Sequence, residues 1–408
     1  MKIALSAPAD LHALAQFSGQ QCEGIAPGLG STATTPLICE LVRRGHDVTL
    51  YTLSKGLTQG CQYRWNNLRV VVGPFRERHL AATYFRPEID FLRRAIEADA
   101  PPLVHAHWTY EFALGALRSG APTLTTIHDL PWNVLRHYRD PHRAVRLAMA
   151  YEVALRGKYF SAVSEAAAYH FASFFRFGTE IPVVTNGITD EVLALGRATR
   201  PGRSRAITFA TILQGWSRRK NAQTALKAFC VVRHEIPQAR LLMFGSDYQL
   251  NGPAHQWAAA HGFERDVAFV GPVKHDQLLP RIAEQVDAVV HPSRDEAFSM
   301  AALEAMALRK PLIAGETTPG MREMLGPGGG LLVDVRSSSA IAQAMIQIAV
   351  NANYRHHLAN HCFERVVRLY RLGTSVDQYE ALYTRIVRSD AVRASFRPPT
   401  PTNIPLDI

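Results

Sequence analysis

A chain of 408 residues is longer than one ordinary hydrophobic core supports, so two domains are expected. With 47% apolar and 20% charged residues the composition is that of a globular protein, not a disordered or fibrous one. No run approaches the roughly eighteen uninterrupted apolar residues of a transmembrane helix, which excludes that class. The net charge of +10 is uneven. Residues 1–195 carry 19 Lys+Arg against 17 Asp+Glu and the remainder 26 against 18, so the excess lies in the second half and points to a phosphorylated ligand or an acidic surface. Five cysteines (Cys22, Cys39, Cys61, Cys230, Cys362) show no metal or redox spacing and read as reduced thiols.

In chain order, "KIALSA" reads as a buried strand. Its apolar run is too short for a secretory signal, and no cleavage boundary separates it from "DLHALAQ". Gly28, Gly30 and Ser31 then precede a helix through "TPLICELVRRGH". "DVTLYT", "RVVVG", "LVHAHW", "PTLTTIHD", "YFSAVS" and "IPVVTN" read as further strands, with a helix at "HRAVRLAMAYEVALRGK". Strands alternating with helices imply a parallel α/β sheet. Across residues 197–206 the pattern pauses in a stretch with four arginines and a Pro-Gly pair, which reads as a linker. It restarts with "AITFATI", "RLLMFGS", "VAFVG", "DAVVHPS", "PLIAG" and "GLLVDV", and with helices at "NAQTALKAFCVVRHE" and "AFSMAALEAMALR". Two α/β units follow, 1–196 and 207–374, with the ligand expected in the cleft between the carboxyl ends of their strands. "SVDQYEALYTRIVRS" is one more amphipathic helix, about residues 375–390, and the proline-rich tail 391–408 is expected to be poorly ordered.

Four stretches carry candidate chemistry. In "DEAFSMAALEAMA", Glu296 and Glu304 are eight positions apart. On one helix that is roughly 12 Å, beyond the about 5–9.5 Å of a glycosidase pair. The preceding "HPSRD" instead suggests a loop, with Ser299 as helix cap, Glu296 at the helix mouth and Glu304 in the second turn. The amides of Phe298, Ser299 and Met300 would then face the cleft, where a helix start favours phosphate. Two solvated surface acids are the alternative. Arg218, Arg219 and Lys220 lie between a strand and a helix, a frequent phosphate position; a solvated basic turn is the alternative. His105 and His107 share one strand face, and His128 and Asp129 end the next strand. A metal site built on His105, His107 and His128 is conceivable, but no further carboxylate or cysteine ligand is evident. His105 reads best as a satisfied buried histidine and His128 as a metal-free cleft residue. The glycine loop at Gly28 and Gly30 does not match the dinucleotide fingerprint.

Taken in this order, the pieces resemble the retaining nucleotide-sugar glycosyltransferases of family 4, across nearly the whole chain and most densely over residues 240–335. The resemblance implies the GT-B fold, two Rossmann-like parallel-sheet domains facing across a cleft. The first would be on the acceptor side and the second would bind the nucleotide sugar, with the last helix packing back on the first. It implies that Glu296 contacts the transferred sugar, Glu304 the ribose, Lys220 the diphosphate and His128 the donor sugar, with Gly30 in the loop that approaches diphosphate and acceptor. The family's arginine five positions before the lysine is Gly215 here, so Arg218 or Arg219 is expected to supply its charge. The glycine after the first glutamate is Ala297.

The activity implied is retaining transfer from a nucleotide-diphosphate sugar to a hydroxyl of a glycan, lipid-linked or small-molecule acceptor, in cell-surface polysaccharide or glycoconjugate synthesis. No metal, cofactor or nucleic acid is implied. A metal-dependent hydrolase on His105, His107 and His128, a non-catalytic polyanion binder and a sugar-nucleotide epimerase are the rivals. A cytoplasmic protein is expected, peripheral at the inner face of the plasma membrane. Arg136, Arg139, Arg143, Arg146, Arg156 and Lys158 beside an apolar stripe could rest on anionic lipid, or the helix could simply pack on the sheet. Sugar, base and acceptor are not legible.

Overall fold

The computed structural model describes residues 1–199 and 206–395, with side chains to residue 389. The first unit is a seven-stranded sheet in the order β3-β4-β2-β1-β5-β6-β7. Its strands are β1 (Lys2–Ser6), β2 (Asp47–Ser54), β3 (Cys61–Trp65), β4 (Leu68–Pro74), β5 (Val104–His107), β6 (Thr123–Ile127) and β7 (Tyr159–Ala162). The second is a six-stranded sheet in the order β10-β9-β8-β11-β12-β13. It comprises β8 (Thr208–Ile212), β9 (Arg240–Phe244), β10 (Val267–Gly271), β11 (Ala288–His291), β12 (Leu312–Gly315) and β13 (Leu331–Val333). Every pairing is parallel except β3 with β4. Strands β5, β6, β11 and β12 are buried along their whole length, as helices on both faces require.

Two strand expectations need correction. "CQYRW" forms β3, an antiparallel edge strand joined to β4 through Asn66 in the left-handed region. Its polar, half-exposed alternation carries little of the signal that buried runs give. "IPVVTN" is no strand: only Val183 bridges to Ala162, beside Pro182, which has no N–H for a ladder.

The chain crosses between the units twice, and the crossings meet. The Ile188 amide donates to the Tyr370 carbonyl at 2.8 Å, and the Leu372 amide donates to the Ile188 carbonyl at 2.9 Å. Helix Asp190–Ala198, expected with the first unit, packs into the second: Leu193 lies in a core with Ala302, Leu303 and Met306, and Gly196 abuts the Ala307 carbonyl. The segment read as a linker therefore begins inside this helix, and its residues 200–205 lie outside the described residues. Helix Leu372–Ser395 returns to the first unit, burying Val376, Tyr379, Tyr383 and Ile386 with Leu5, Ile38 and Leu50. Arg44 ties it down at Asp377 (2.6 Å), Glu380 (3.2 Å) and the Gly373 carbonyl (2.9 Å). The helix covers residues 391–395 of the expected tail, and 396–408 lie outside the described residues. All five cysteines are free thiols.

Inside this interface the Tyr383 hydroxyl meets His105 Nδ1 at 2.6 Å. Tyr383→Phe would leave that buried nitrogen unpaired and is expected to cost about 1–2 kcal/mol, read as a lowered urea midpoint.

Candidate active site in the cleft

In each sheet the strand order reverses at one point, between β1 and β5 and between β8 and β11. Loops leaving neighbouring strands at such a point run in opposite directions and open a crevice. In the second sheet those loops carry Lys220 and Glu296, which explains how residues 76 positions apart meet. Asn221, in the left-handed region, laces the loops together: its side-chain amide donates to the carbonyls of Pro292 (3.0 Å) and Val335 (2.7 Å). The Arg294 amide donates to the Arg219 carbonyl at 2.9 Å.

A charged cluster results. Lys220 Nζ donates to Glu296 Oε1 at 2.6 Å, and Arg219 lies 3.5 Å from Glu296 Oε2 and 3.3 Å from an Asp295 oxygen. His291 Nε2 lies 3.6 Å from Glu296 Oε1, an electrostatic contact longer than a hydrogen bond. Burial pushes the Glu296 carboxyl up, but Lys220, His291 and Arg219 outweigh it and hold the group well below the usual carboxylate range. Burial likewise opposes charge on Arg219, and Glu296 and Asp295 more than offset it. Burial raises Asp295, against the pull of Arg219 and the 2.9 Å hydrogen bond from Asn133 of the first unit. Arg218 is exposed, outside this cluster. Of the two arginines, Arg219 therefore lies beside Lys220.

Helix Met300–Ala307 begins after Ser299, whose hydroxyl accepts from the Ala302 amide at 3.3 Å. Glu296 thus lies in the loop and Glu304 on the helix, so the rise of a single helix does not set their separation. The amides of Phe298, Ser299 and Met300 stand at this capped end, where a helix has no internal partners for its N–H groups. The Phe298 ring packs edge-on against Tyr370. Glu304 accepts from His275 Nε2 at 2.8 Å, and that hydrogen bond raises the His275 pKa. Ala297 is buried in the core of the first unit, and a Cβ on Gly320 would lie 2.2 Å from its carbonyl oxygen. At position 215 the glycine is left-handed, and a Cβ there would sit 3.9 Å from the Asp247 carboxylate.

Across the cleft, Gly28 is the crowded glycine, since a Cβ there would lie 2.2 Å from the Ala9 carbonyl. Gly30 has open space above it and donates to that same carbonyl at 3.1 Å. His128 sits at the end of β6, stacked on Trp108, with its Nε2 2.9 Å from His107 Nδ1. His107 packs against His105 with centroids 4.0 Å apart and the rings tilted by 39°. Both nitrogens of His105 are taken, by Tyr383 and by the Thr126 hydroxyl (2.7 Å), which leaves none for a metal. Among the described residues no group of three His, Cys, Asp or Glu is disposed to hold a metal ion. Sequence reasoning missed Asp295, His291 and Asn133; it pointed to the loop from Val273 to His275 as a donor contact but not to the His275 bond with Glu304. Asp295 and His291 flank Glu296 in sequence and could have been found from that loop; the Asn133 and His275 contacts are visible only in three dimensions.

Residues 209–364 match the family model described as Glycosyl transferases group 1, and residues 31–192 match Glycosyltransferase Family 4. The chain belongs to the family 4 glycosyltransferases. This glycosyltransferase is 22% identical over 389 residues to N-acetyl-alpha-D-glucosaminyl L-malate synthase of Bacillus anthracis, covering 89% of the chain and 96% of that protein. It is 26% identical over 219 residues to a GDP-mannose:cellobiosyl-diphosphopolyprenol alpha-mannosyltransferase of Xanthomonas campestris, covering 53% of the chain and only 56% of that relative. Its GT-B fold superposes on sucrose-phosphate synthase of Thermosynechococcus elongatus with a TM-score of 0.75, at 19% identity over 95% of this chain and all of that one. It superposes on HepE of Anabaena, solved with UDP and glucose, with a TM-score of 0.65 at 16% identity, over 94% of this chain and 99% of that one. The Xanthomonas relative is named a transferase, and none of these matches supports the hydrolase reading.

The buried histidines of the transferase set its acid sensitivity. Burial holds His105 and His128 at about 3, and burial with its two neighbours holds His107 well below 6.5. Unfolding frees all three to take protons near pH 6.5, so the unfolded state binds more protons below that pH. Stability is then full above about pH 6.5 and falls as pH drops towards 3. Calorimetric melting between pH 7 and 5 is expected to show this loss.

Proposed function

We propose that the enzyme transfers a sugar, with retention at the anomeric carbon, from a nucleotide-diphosphate donor to a hydroxyl of a glycan, lipid-linked or small-molecule acceptor. The buried cluster of Lys220, Arg219 and Glu296 at the switch point carries this reading. Two cations beside the capped start of helix Met300–Ala307 suit a diphosphate, whose charge grows as the anomeric C–O bond breaks. Drawn to the diphosphate, Lys220 would release Glu296 to accept from a sugar hydroxyl. Glu304 faces the ribose, with His275 orienting its carboxylate. His128 donates to or accepts from the sugar, its tautomer set by His107. The acceptor oxygen forms its bond on the face that the phosphate leaves, and the acceptor proton passes to the departing phosphate oxygen. Charge neutralisation thus comes from side chains and amides, with no metal in the step. The nucleotide-sugar donor agrees with HepE having been solved with UDP and glucose and with the GDP-mannose in the Xanthomonas enzyme's name.

The first experiment is a thermal-shift screen with UDP-, GDP- and ADP-sugars, followed by transfer assays with the donor that stabilises. Lys220→Ala is expected to lower kcat by about 10²–10³, and Glu296→Gln comparably. Full activity in either variant would remove these roles. Arg219→Ala should lower turnover at least about tenfold, while Arg218→Ala should stay within about threefold; the reverse order would assign the phosphate contact to Arg218. Activity should persist in EDTA.

A further inference from the structure

The sequence suggests a row of six cations on one surface, and the structure breaks that row. Arg146 is half-buried, 3.3 Å from Glu111 and over the rings of Phe85 and Tyr110. Arg143 folds onto Tyr138 and Asp140. What is exposed nearby is aromatic and aliphatic.

Helices Pro131–Tyr138, Pro141–Arg156 and Glu165–Phe174 share this edge of the first unit. Trp132 Nε1 donates to the Tyr151 hydroxyl at 3.1 Å, the Trp132 ring lies 6.3 Å from Phe174, and Tyr151 lies 4.5 Å from Phe175. Leu155 is one turn beyond Tyr151 on the same helix face. Arg176 Nη1 donates to the Ala154 carbonyl at 3.1 Å, tying the segment that carries Phe177 to the turn that carries Leu155. Leu155 and Phe177 are each 83% exposed. Folding accounts for none of this exposure, and isolated surface hydrophobics do not form a continuous band.

The charge around the band has one sign. Residues 131–180 hold seven Lys+Arg and four Asp+Glu. Of the acids, Glu152 is engaged by Arg118 and Arg156, and Asp140 caps a helix, leaving Glu165 and Glu180 exposed. Arg136, Arg139, Arg156 and Lys158 are exposed at the rim; burial and, after it, Arg136 depress His170, whose ring lies 4.9 Å from Phe174. Indole and phenol groups with one polar end, ringed by cations, match the interfacial zone of an anionic bilayer.

The band also borders the cleft. Helix Pro131–Tyr138, which bears Trp132 and Arg136, also sends Asn133 to Asp295 and Tyr138 to Ser217. The amide of Glu165, at the start of the Phe174 helix, donates to Glu323 of the second unit at 3.0 Å. We propose that this face seats the enzyme on an anionic lipid surface, so that a lipid-borne acceptor presents its hydroxyl at the cleft mouth. The acceptor class rests on the transferase reading; the docking surface does not.

Flotation with vesicles of mixed phosphatidylglycerol and phosphatidylcholine tests it. The wild-type protein should float with these vesicles, less with phosphatidylcholine alone, and less as salt is raised. The Leu155→Glu, Phe177→Glu double variant changes two exposed side chains. It should lose binding about tenfold while keeping its melting temperature and its thermal shift with the nucleotide sugar. No wild-type flotation on anionic vesicles, or unchanged flotation of the variant, overturns the proposal. So does a wild-type dimer that the double substitution dissolves while neither protein floats, since the face would then be a self-interface. Flotation without any nucleotide-sugar shift would sink the transferase reading and leave the surface standing; a shift without flotation would do the reverse.

Discussion

The carboxylate of Glu296 is buried, and a buried charge is tolerated only where others answer it. Lys220 and Arg219 answer it here, from a loop that is distant in sequence and adjacent in space. That requirement explains much of the surrounding architecture. The two loops must leave neighbouring strands, which the reversal between β8 and β11 supplies. They must not drift apart, and Asn221 spans them with hydrogen bonds to two carbonyls. Asp295 adds a second carboxylate for Arg219 and extends the cluster to Asn133 across the cleft. A group of charges that is costly to bury holds few alternative arrangements, so its members stay oriented towards one another.

The opposite wall is built on uncharged chemistry. His105, His107 and His128 form a row of tilted rings in contact that burial keeps neutral. One end of the row is fixed by Tyr383 from the returning helix and the other reaches the cleft. A neutral imidazole pair shares one proton at its contact, so the tautomers of His107 and His128 are coupled. The position of a helix near the end of the chain is in this way transmitted to a side chain in the cleft, through two ring contacts and one hydroxyl.

Much of this was legible in the sequence because the signals were strong where burial is complete. Runs such as "DAVVH" and "PLIAG" leave little choice but interior parallel strands, and the order of "RRK" and "DEAFSMAALEAMA" after their strands put both segments at the strand ends where they meet. What was not legible shares a different cause. The strand at Cys61–Trp65 is half-exposed, and its pairing depends on a turn at Asn66. Helix Asp190–Ala198 is amphipathic in either unit, and only the close approach of Gly196 to Ala307 shows which core it joins. Whether Arg218 or Arg219 turns inward cannot be read from neighbours of the same charge; it is decided by the carboxylates of Asp295 and Glu296 arriving from another loop. The His275 bond to Glu304 and the Asn133 bond to Asp295 likewise join residues with no common motif.

The meeting of the two chain crossings at Ile188 and Leu372 has a mechanical consequence. Two bodies tied at widely spaced points are locked, and two tied by one thread tumble freely. Here both threads pass side by side, bonded to each other through a single residue's amide and carbonyl. Relative motion is thereby reduced to rotation about one short segment, with sliding suppressed. Points near the segment barely move while those far from it sweep an arc. A rotation of that kind would part Asn133 from Asp295 and leave both sheets intact.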